Sequence, residues 1–200
     1  MTNAARILKP AVAAALAVAA ALLVLAQPVP LAAGADSPPA EQAARLEALF
    51  ARLAEADNPD WERVEEEIWA EWSRSGSDAM DLLLERGREA LAGGDLEAAI
   101  AHFTALVDHA PDFAEGWNAR ATAYFHAGLY GPSLADIERT LALNPRHFGA
   151  LVGLGMILEE TGLLEDALEA YRRVLAIHPN RPDALEAVER LERLLEGTDL

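Results

Sequence analysis

An all-α fold, an α-solenoid of helix-turn-helix repeats, is predicted by a period of 34 residues between positions 80 and 181. Pro111, Pro145 and Pro179 follow one another at that interval, and the residues ahead of each proline repeat one pattern. Such a period is typical of repeat proteins, because one helix pair cannot bury its apolar face until the next pair stacks on it. The sequence therefore divides into three units, 80–113, 114–147 and 148–181.

Small residues stand at equivalent places in each unit, between two stretches with apolar residues at helical spacing. The fifteenth place is always glycine, which is predicted to end the first helix in the left-handed conformation: Gly94, Gly128 and Gly162. The eighth and twentieth places are small, so the two helices of a unit can approach closely: Gly87, Ala121, Gly155, Ala99, Ser133 and Ala167. The proline then stops the second helix.

This pattern resembles that of the tetratricopeptide repeat (TPR) family. The residues that carry the resemblance are Trp117, Tyr124 and Pro145 in the second unit and Leu154, Gly155, Ala167, Tyr171 and Pro179 in the third. The resemblance covers about half of the chain. It implies a superhelix whose concave groove, lined by the first helix of each unit, binds a segment of another protein.

The resemblance also implies which places face the groove: the second, fifth, ninth, twelfth and thirteenth of each unit. The candidate groove residues are Leu84, Arg88, Leu91, Asn118, Thr122, Phe125, His126, Val152, Met156 and Glu159. They form an apolar track with hydrogen-bonding groups at one end and acids at the other, which favours a partner with a basic segment. Alternatively, the N-terminal hairpin or the C-terminal helix covers some of the apolar members.

One TPR subgroup binds the acidic C-termini of cytosolic chaperones through a clamp of lysines and asparagines. The places that match the clamp hold Leu84, Arg88, Ala119, Gly149 and Gly153. The clamp is absent, so chaperone C-termini are not expected as partners.

Two arginines depart from the family pattern, which has leucine at the seventh place. Arg86 and Arg120 stand at this place in successive first helices. Since partly buried arginine is normally paired, we expect neighbouring acids to neutralise both, with Asp136 a candidate. The alternative is a shared anionic ligand.

Residues 1–35 are predicted to form a signal peptide, because a basic start is followed by an uncharged apolar run and small residues. Ala33, Gly34 and Ala35 form one cleavage site of the A-x-A kind. The alternative is an uncleaved N-terminal anchor in the inner membrane, although the run is short for a membrane span. Residues 36–40 are expected to be a linker by their composition.

Residues 41–79 are predicted to be a helical hairpin that serves as a degenerate repeat or an N-terminal cap. Its second helix carries Trp61, Trp69 and Trp72. The tryptophans are expected to pack against the first repeat, and the alternative is an exposed partner site or dimer contact. Residues 182–200 are predicted to be a capping helix with one polar face.

Composition and motifs give no sign of catalysis. The chain has a net charge of −17, which disfavours nucleic acid as a partner, and no cysteine. Phosphate-loop, serine-hydrolase and zinc-protease motifs are absent from the sequence. The histidines are expected to be surface or turn residues: His102, His109, His126, His147 and His178. No cofactor or metal is expected.

These observations predict an exported, periplasmic protein-protein interaction scaffold of the bacterial cell envelope. Two other functions are kept open. One is self-assembly through the tryptophan-bearing hairpin. The other is an enzyme with a site between the hairpin and the repeats, which would need a converging set of perturbed acids or a histidine–acid pair in a pocket, and no residue spacing supplies one.

Overall fold

The computed structural model describes residues 38–198, with the side chains of 41–196. The expected signal peptide lies outside the described residues. Residues 38–198 contain helices and no strand. In chain order the helices are α1 Pro38–Leu53, α2 Trp61–Trp72, α3 Asp78–Ala92, α4 Leu96–His109, α5 Ala114–His126, α6 Tyr130–Leu143, α7 Phe148–Glu160, α8 Leu164–Ile177 and α9 Pro182–Thr198. None of the described helices is long and apolar enough to cross a membrane.

The predicted all-α repeat architecture is confirmed. Each unit contains one helix pair: α3 with α4, α5 with α6, and α7 with α8. Gly94, Gly128 and Gly162 join the helices of a pair at φ values of 78°, 70° and 80°. This left-handed conformation is the one that glycine adopts without steric cost. After each glycine the same bond closes the turn, from Asp95 N to Ala90 O, from Leu129 N to Tyr124 O and from Leu163 N to Leu158 O, each 2.9 Å long.

The small eighth residue makes room for the side chain at the twenty-fourth place of the same unit. A Cβ atom at Gly155 would lie 2.7 Å from Cζ of Tyr171, and one at Gly87 would overlap the ring of Phe103. In the second unit the eighth residue is Ala121, and the opposing residue is Ile137, not an aromatic one. Glycine therefore accompanies a ring and alanine an aliphatic side chain, so each unit keeps its interhelix space filled.

We expect Gly87→Ala to lower the free energy of unfolding by about 2 kcal/mol. The new methyl group would overlap the buried Phe103 ring, and overpacking of a core costs about 1–3 kcal/mol. Gly131→Ala is the matched control, since a Cβ at this helical glycine meets nothing within 4 Å. The control should be neutral or gain up to about 1 kcal/mol. Urea unfolding measures both, and equal effects of the two substitutions would contradict this account of the eighth place.

The N-terminal hairpin does not stack on the first unit as a further repeat. Helices α1 and α2, here called the strap hairpin, lie across the starts of α5, α7 and α9. Trp72 stacks on His147 with ring centroids 4.2 Å apart, and Trp61 contacts His178 at 5.2 Å. The expected packing of the tryptophans against the first repeat is therefore wrong. Their main contacts are with the second and third units.

The length of α2 explains how one helix reaches two inter-unit turns. Its 12 residues span about 18 Å, whereas neighbouring helices pack about 8–10 Å apart. The helix therefore passes along more than one step of the repeat. Polar contacts also join the strap hairpin to the inter-unit turns. Glu47 pairs with Arg146, and Asn180 donates to the backbone carbonyl of Glu55 at 2.9 Å.

Helix starts differ from the sequence-based expectations by a few residues. Helix α1 begins at Pro38, inside the expected linker, because proline is tolerated in the first turn of a helix. Helix α2 begins at Trp61 with Asp60 at its N-cap. Asn58, which precedes Pro59, accepts a hydrogen bond from the backbone N–H of Asp60 at 2.9 Å. The last helix covers Pro182–Thr198 and packs its buried alanines and Leu191 on the third unit.

Because the strap hairpin lies elsewhere, α3 is the first helix of the stack and its outer face is exposed. The exposed residues of α3 are mostly polar, and Leu82 is the one large apolar side chain among them. Arg86 is one of these exposed residues, and no residue among 41–196 forms a hydrogen bond or ion pair with Arg86. The expectation that this arginine must be neutralised was therefore wrong: it is hydrated at the end of the array.

Candidate functional site

An open, mostly apolar groove runs between α5 and α7. Its floor is formed by Ser133 and Ile137 of α6, and its cavity is about 150 Å³. Its walls are Asn118, Ala121, Thr122, Phe125, His126, Gly149, Ala150, Val152, Gly153 and Met156. Met156 is 40% exposed in the groove wall. The first helices of the second and third units thus build the site, as the family resemblance implied.

Six of the ten candidate groove residues line this cavity: Asn118, Thr122, Phe125, His126, Val152 and Met156. The remaining four lie elsewhere. Leu84 is only 2% exposed and belongs to the core of the first unit, and Leu91 packs against the same core. Neither side chain lines the groove, because in the first unit the apolar face of α3 is used against α4 and α5.

Arg88, the third of these four, is held in a network centred on Glu115. The buried carboxylate of Glu115 accepts hydrogen bonds from Arg88 Nη2 at 2.6 Å, Asn118 Nδ2 at 3.0 Å and His147 Nε2 at 2.9 Å. Arg88 Nη1 also donates to Ser73 Oγ at 3.0 Å. The arginine therefore links the first unit, the second unit and the residue that follows the strap hairpin, and it is occupied within the chain.

Glu159, the fourth, is neutralised by the capping helix. Arg190 of α9 donates to both carboxylate oxygens of Glu159. The hydrogen bond from Arg190, helped by one from Tyr171, holds the pKa of Glu159 below its usual value despite partial burial. Burial and the bond to Glu159 raise the pKa of Tyr171. Only Glu160 of the expected acidic end remains free to meet a partner: it is exposed, and no residue among 41–196 is bonded to it.

His147 and His178 are the two histidines whose burial the sequence reasoning did not predict. Both stand in inter-unit turns, as expected, but both side chains are 0% exposed. His147 Nδ1 accepts a hydrogen bond from the backbone N–H of Ala150 at 3.2 Å. Its Nε2–H is therefore the donor in the hydrogen bond to Glu115. The ring stacks on that of Trp72. The strap hairpin buries both histidines, and no local sequence pattern predicted where this hairpin docks.

His178 takes part in a second network on the strap hairpin. Its Nε2 lies 2.9 Å from Glu65 Oε2, and Arg181 pairs with the other oxygen of Glu65. Burial of Glu65 opposes its ionisation, but the bond with His178 and the charge of Arg181 outweigh this and lower the pKa of Glu65. Trp69 Nε1 adds a further donor at 3.1 Å. Glu65 therefore joins α2 to the turn before α9 as a carboxylate.

Two histidine–acid pairs thus exist, but their geometry is that of structural pairs. Both ring nitrogens of His147 are engaged, and both histidines are enclosed by the strap hairpin. A general base must reach the proton of a bound substrate. Neither ring lines the groove cavity or the cavity of about 220 Å³ between the strap hairpin and the start of α5. Among residues 41–196, no group of three or more His, Asp or Glu side chains is placed to hold a metal ion.

The strap hairpin closes one end of the groove. Cη2 of Trp69 would lie 2.6 Å from a Cβ atom at Gly149, so the indole rests directly on the backbone of α7. Gly149 also lines the groove cavity. Gly149 is therefore covered by Trp69 on one side and open to the groove on the other.

The expected pairing of Arg120 is confirmed. Its Nε and Nη2 donate to the two oxygens of Asp136 at 2.7 and 2.9 Å. The hydrogen bond to Asp136 raises the pKa of Arg120 against the effect of burial. Arg120 also reaches Thr104 of the preceding unit at 3.3 Å. The residue is thus a bridge between units, and the alternative of a shared anionic ligand for Arg86 and Arg120 has no support in this geometry.

The chain belongs to the tetratricopeptide repeat family. A family model described as tetratricopeptide repeat matches residues 84–131 and 133–182. A TPR repeat-containing protein of Rhizobium etli is 38% identical over 154 residues, which are 76% of this chain and 76% of that protein.

Other relatives are matched over only part of their own length. The small glutamine-rich tetratricopeptide repeat-containing protein 2 of Saccharomyces cerevisiae is 32% identical over 66% of this chain, which spans only 37% of the yeast protein. Among solved structures, the first TPR of Spaghetti (RPAP3), bound to the HSP90 peptide SRMEEVD, has a TM-score of 0.57 and 26% identity. The match covers 58% of this chain and 95% of the RPAP3 chain.

Proposed function

We propose that this protein is a non-catalytic interaction module that binds a segment of another protein in the groove between α5 and α7. The observation that carries the proposal is the open apolar cavity on the face formed by the first helices of two consecutive units. The similar TPR of Spaghetti (RPAP3), with a bound HSP90 peptide, supports a peptide as the kind of partner. The partner differs from such peptides, because clamp residues are missing here.

The proposed setting is the periplasm of a bacterium, in a complex of the cell envelope. The basic start and apolar run of residues 1–35 support export, either with cleavage or as an inner-membrane anchor. The relative from Rhizobium etli supports a bacterial context. Self-assembly through the tryptophans is less favoured, because all three already contact the repeats or each other within one chain.

The proposal is tested by Met156→Arg, with Leu82→Arg as its matched control. The two side chains have similar exposure, 40% and 44%, but only Met156 lines the groove. A partner is first identified by crosslinking in the native envelope and then purified for titration. We expect Met156→Arg to weaken its binding at least about tenfold, because a charge enters an apolar site, while Leu82→Arg binds normally. Unchanged binding by Met156→Arg would refute a role of the groove.

A further inference from the structure

We propose that the groove receives one aromatic side chain of the partner, seated on Gly153, with a basic residue of the partner next to it at Glu160. This inference rests on the proposed function and specifies the chemistry of the partner segment. It follows from the size of the cavity, the bare backbone at Gly153, the packing of Trp69 on Gly149 within the chain, and the charge of Glu160.

The size of the cavity fits a single ring. Its volume is about 150 Å³, and an apolar protein cavity of about that size is known to accommodate benzene. The walls are chiefly apolar, with Phe125 on α5 and Met156 on α7. A methionine wall adapts its shape and makes favourable contacts with aromatic rings. Two rings would not fit, and an alanine-sized side chain would leave most of the cavity unfilled.

Gly153 contributes bare helix backbone to the cavity wall. The nearest atom to a Cβ placed there is Cδ1 of Ile137 at 3.5 Å, which is ordinary van der Waals contact. The site has room for a side chain that this chain does not supply. The partner's ring can therefore lie against the helix backbone at Gly153 with Ile137 beneath it.

An aromatic ring of the strap hairpin already packs on a glycine of α7, one helical turn before Gly153. Trp69 lies on Gly149, which precedes Gly153 by four residues on the same face of α7. Gly149 borders both the strap hairpin and the open cavity. A ring on Gly153 would therefore continue the aromatic row that begins with Trp72 and Trp69. The partner's docking surface is an extension of an interface that the chain makes with itself.

The charge at the rim favours a cation. Glu160 follows Met156 by four residues, so the two lie on one face of α7. Glu160 is exposed, and no residue among 41–196 neutralises it. It also stands at the C-terminal end of α7, where the helix dipole adds partial negative charge. The net charge of the chain, −17, acts in the same direction. The partner residue beside the ring is therefore arginine or lysine.

The experiment uses three blocked dipeptides as probes: N-acetyl-Phe-Arg-amide, N-acetyl-Ala-Arg-amide and N-acetyl-Phe-Glu-amide. Binding to the full chain is followed by NMR at the methyl groups of Ile137, Val152 and Met156. We expect Phe-Arg to bind at least about tenfold more tightly than Ala-Arg, because burial of a phenylalanine side chain contributes about 1.5–3 kcal/mol. Phe-Glu should bind more weakly than Phe-Arg, and Glu160→Gln should reduce that difference.

The decisive variant is Gly153→Leu, with Gly131→Leu as the matched control. Leucine at 153 fills the cavity from within a helix, whereas Gly131 meets nothing within 4 Å and lies outside the groove. We expect Gly153→Leu to abolish Phe-Arg binding while its melting temperature stays equal to or above that of the unchanged chain. Gly131→Leu should bind as the unchanged chain does.

Three results would overturn the inference: equal binding of Phe-Arg and Ala-Arg, normal Phe-Arg binding by Gly153→Leu, or self-association of the chain that shifts the same methyl groups without probe. If the crosslinked partner is lost with Met156→Arg but kept with Gly153→Leu, the ring site is wrong and the proposed function stands. If Met156→Arg keeps the partner, the proposed function itself fails.

Discussion

Trp72→Ala is expected to detach the strap hairpin and to lower the free energy of unfolding by about 3–5 kcal/mol. Trp72 is buried, stacks on His147 and contacts the ring of Phe148 at 4.9 Å. Truncating a buried tryptophan loses its transfer free energy and leaves a cavity, and the quoted range is typical of that change. For a chain of this length, the melting temperature should fall on the order of 10 °C.

Trp117→Ala is the control, since Trp117 lies on the repeats outside the strap hairpin and is partly exposed. Hydrogen exchange locates the effect of each variant. With Trp72→Ala, amides of α1 and α2 should lose protection first, whereas those of α4 to α6 should stay protected. If Trp72→Ala costs no more than Trp117→Ala, or if all helices lose protection together, the strap hairpin is not a separately docked element.

Glu115→Ala is expected to lower the free energy of unfolding by about 3 kcal/mol or more. The carboxylate accepts from Arg88, Asn118 and His147, which lie in two units and at the boundary of a third. Without it, the Nε2–H of the fully buried His147 has no acceptor, and Arg88 loses its ion pair. An unsatisfied buried donor typically costs about 1–3 kcal/mol, and Asn118 and the half-exposed Arg88 lose a charged acceptor in addition.

Glu115→Gln should recover little of this loss. All three neighbours are donors, so the amide NH2 of glutamine would face another donor at one of them. Glu189→Gln serves as the control, because Glu189 meets Arg193 at 3.9 Å on the exposed face of α9. Exposed pairs of this kind contribute about 0.3–0.5 kcal/mol. Urea unfolding distinguishes the variants, and a stable Glu115→Ala protein would show that the network does not join the units.

The strap hairpin changes how the groove is used. A TPR array with a stacked extra repeat would present a groove along all its units, whereas here Arg88 is occupied and Gly149 is covered. The groove cavity lies between the second and third units. The proposed partner therefore contacts a short, apolar part of the array, beside the aromatic contacts that the chain makes with itself.

The sequence by itself determined the repeat architecture. The period of the prolines and the glycines at equal places specify where each helix ends, and these are local backbone requirements that a sequence pattern records. The pairing of small with large residues at the eighth and twenty-fourth places, as at Gly155 and Tyr171, is likewise visible in the aligned units. The six residues that line the groove cavity were, by contrast, implied by the resemblance to the TPR family.

Tertiary structure alone decided where the N-terminal hairpin lies. That position also decides that His147 and His178 are buried, that Arg86 is exposed and that Arg88 is bonded within the chain. The helical period of α2 shows which of its faces is apolar, but not which distant surface that face covers. Contacts such as Glu65 with His178 join residues 113 positions apart, and they depend on side-chain packing between elements that are remote in sequence. The local pattern fixes helices and turns because these are short-range, whereas the docking of the strap hairpin depends on the shape that the assembled repeats present.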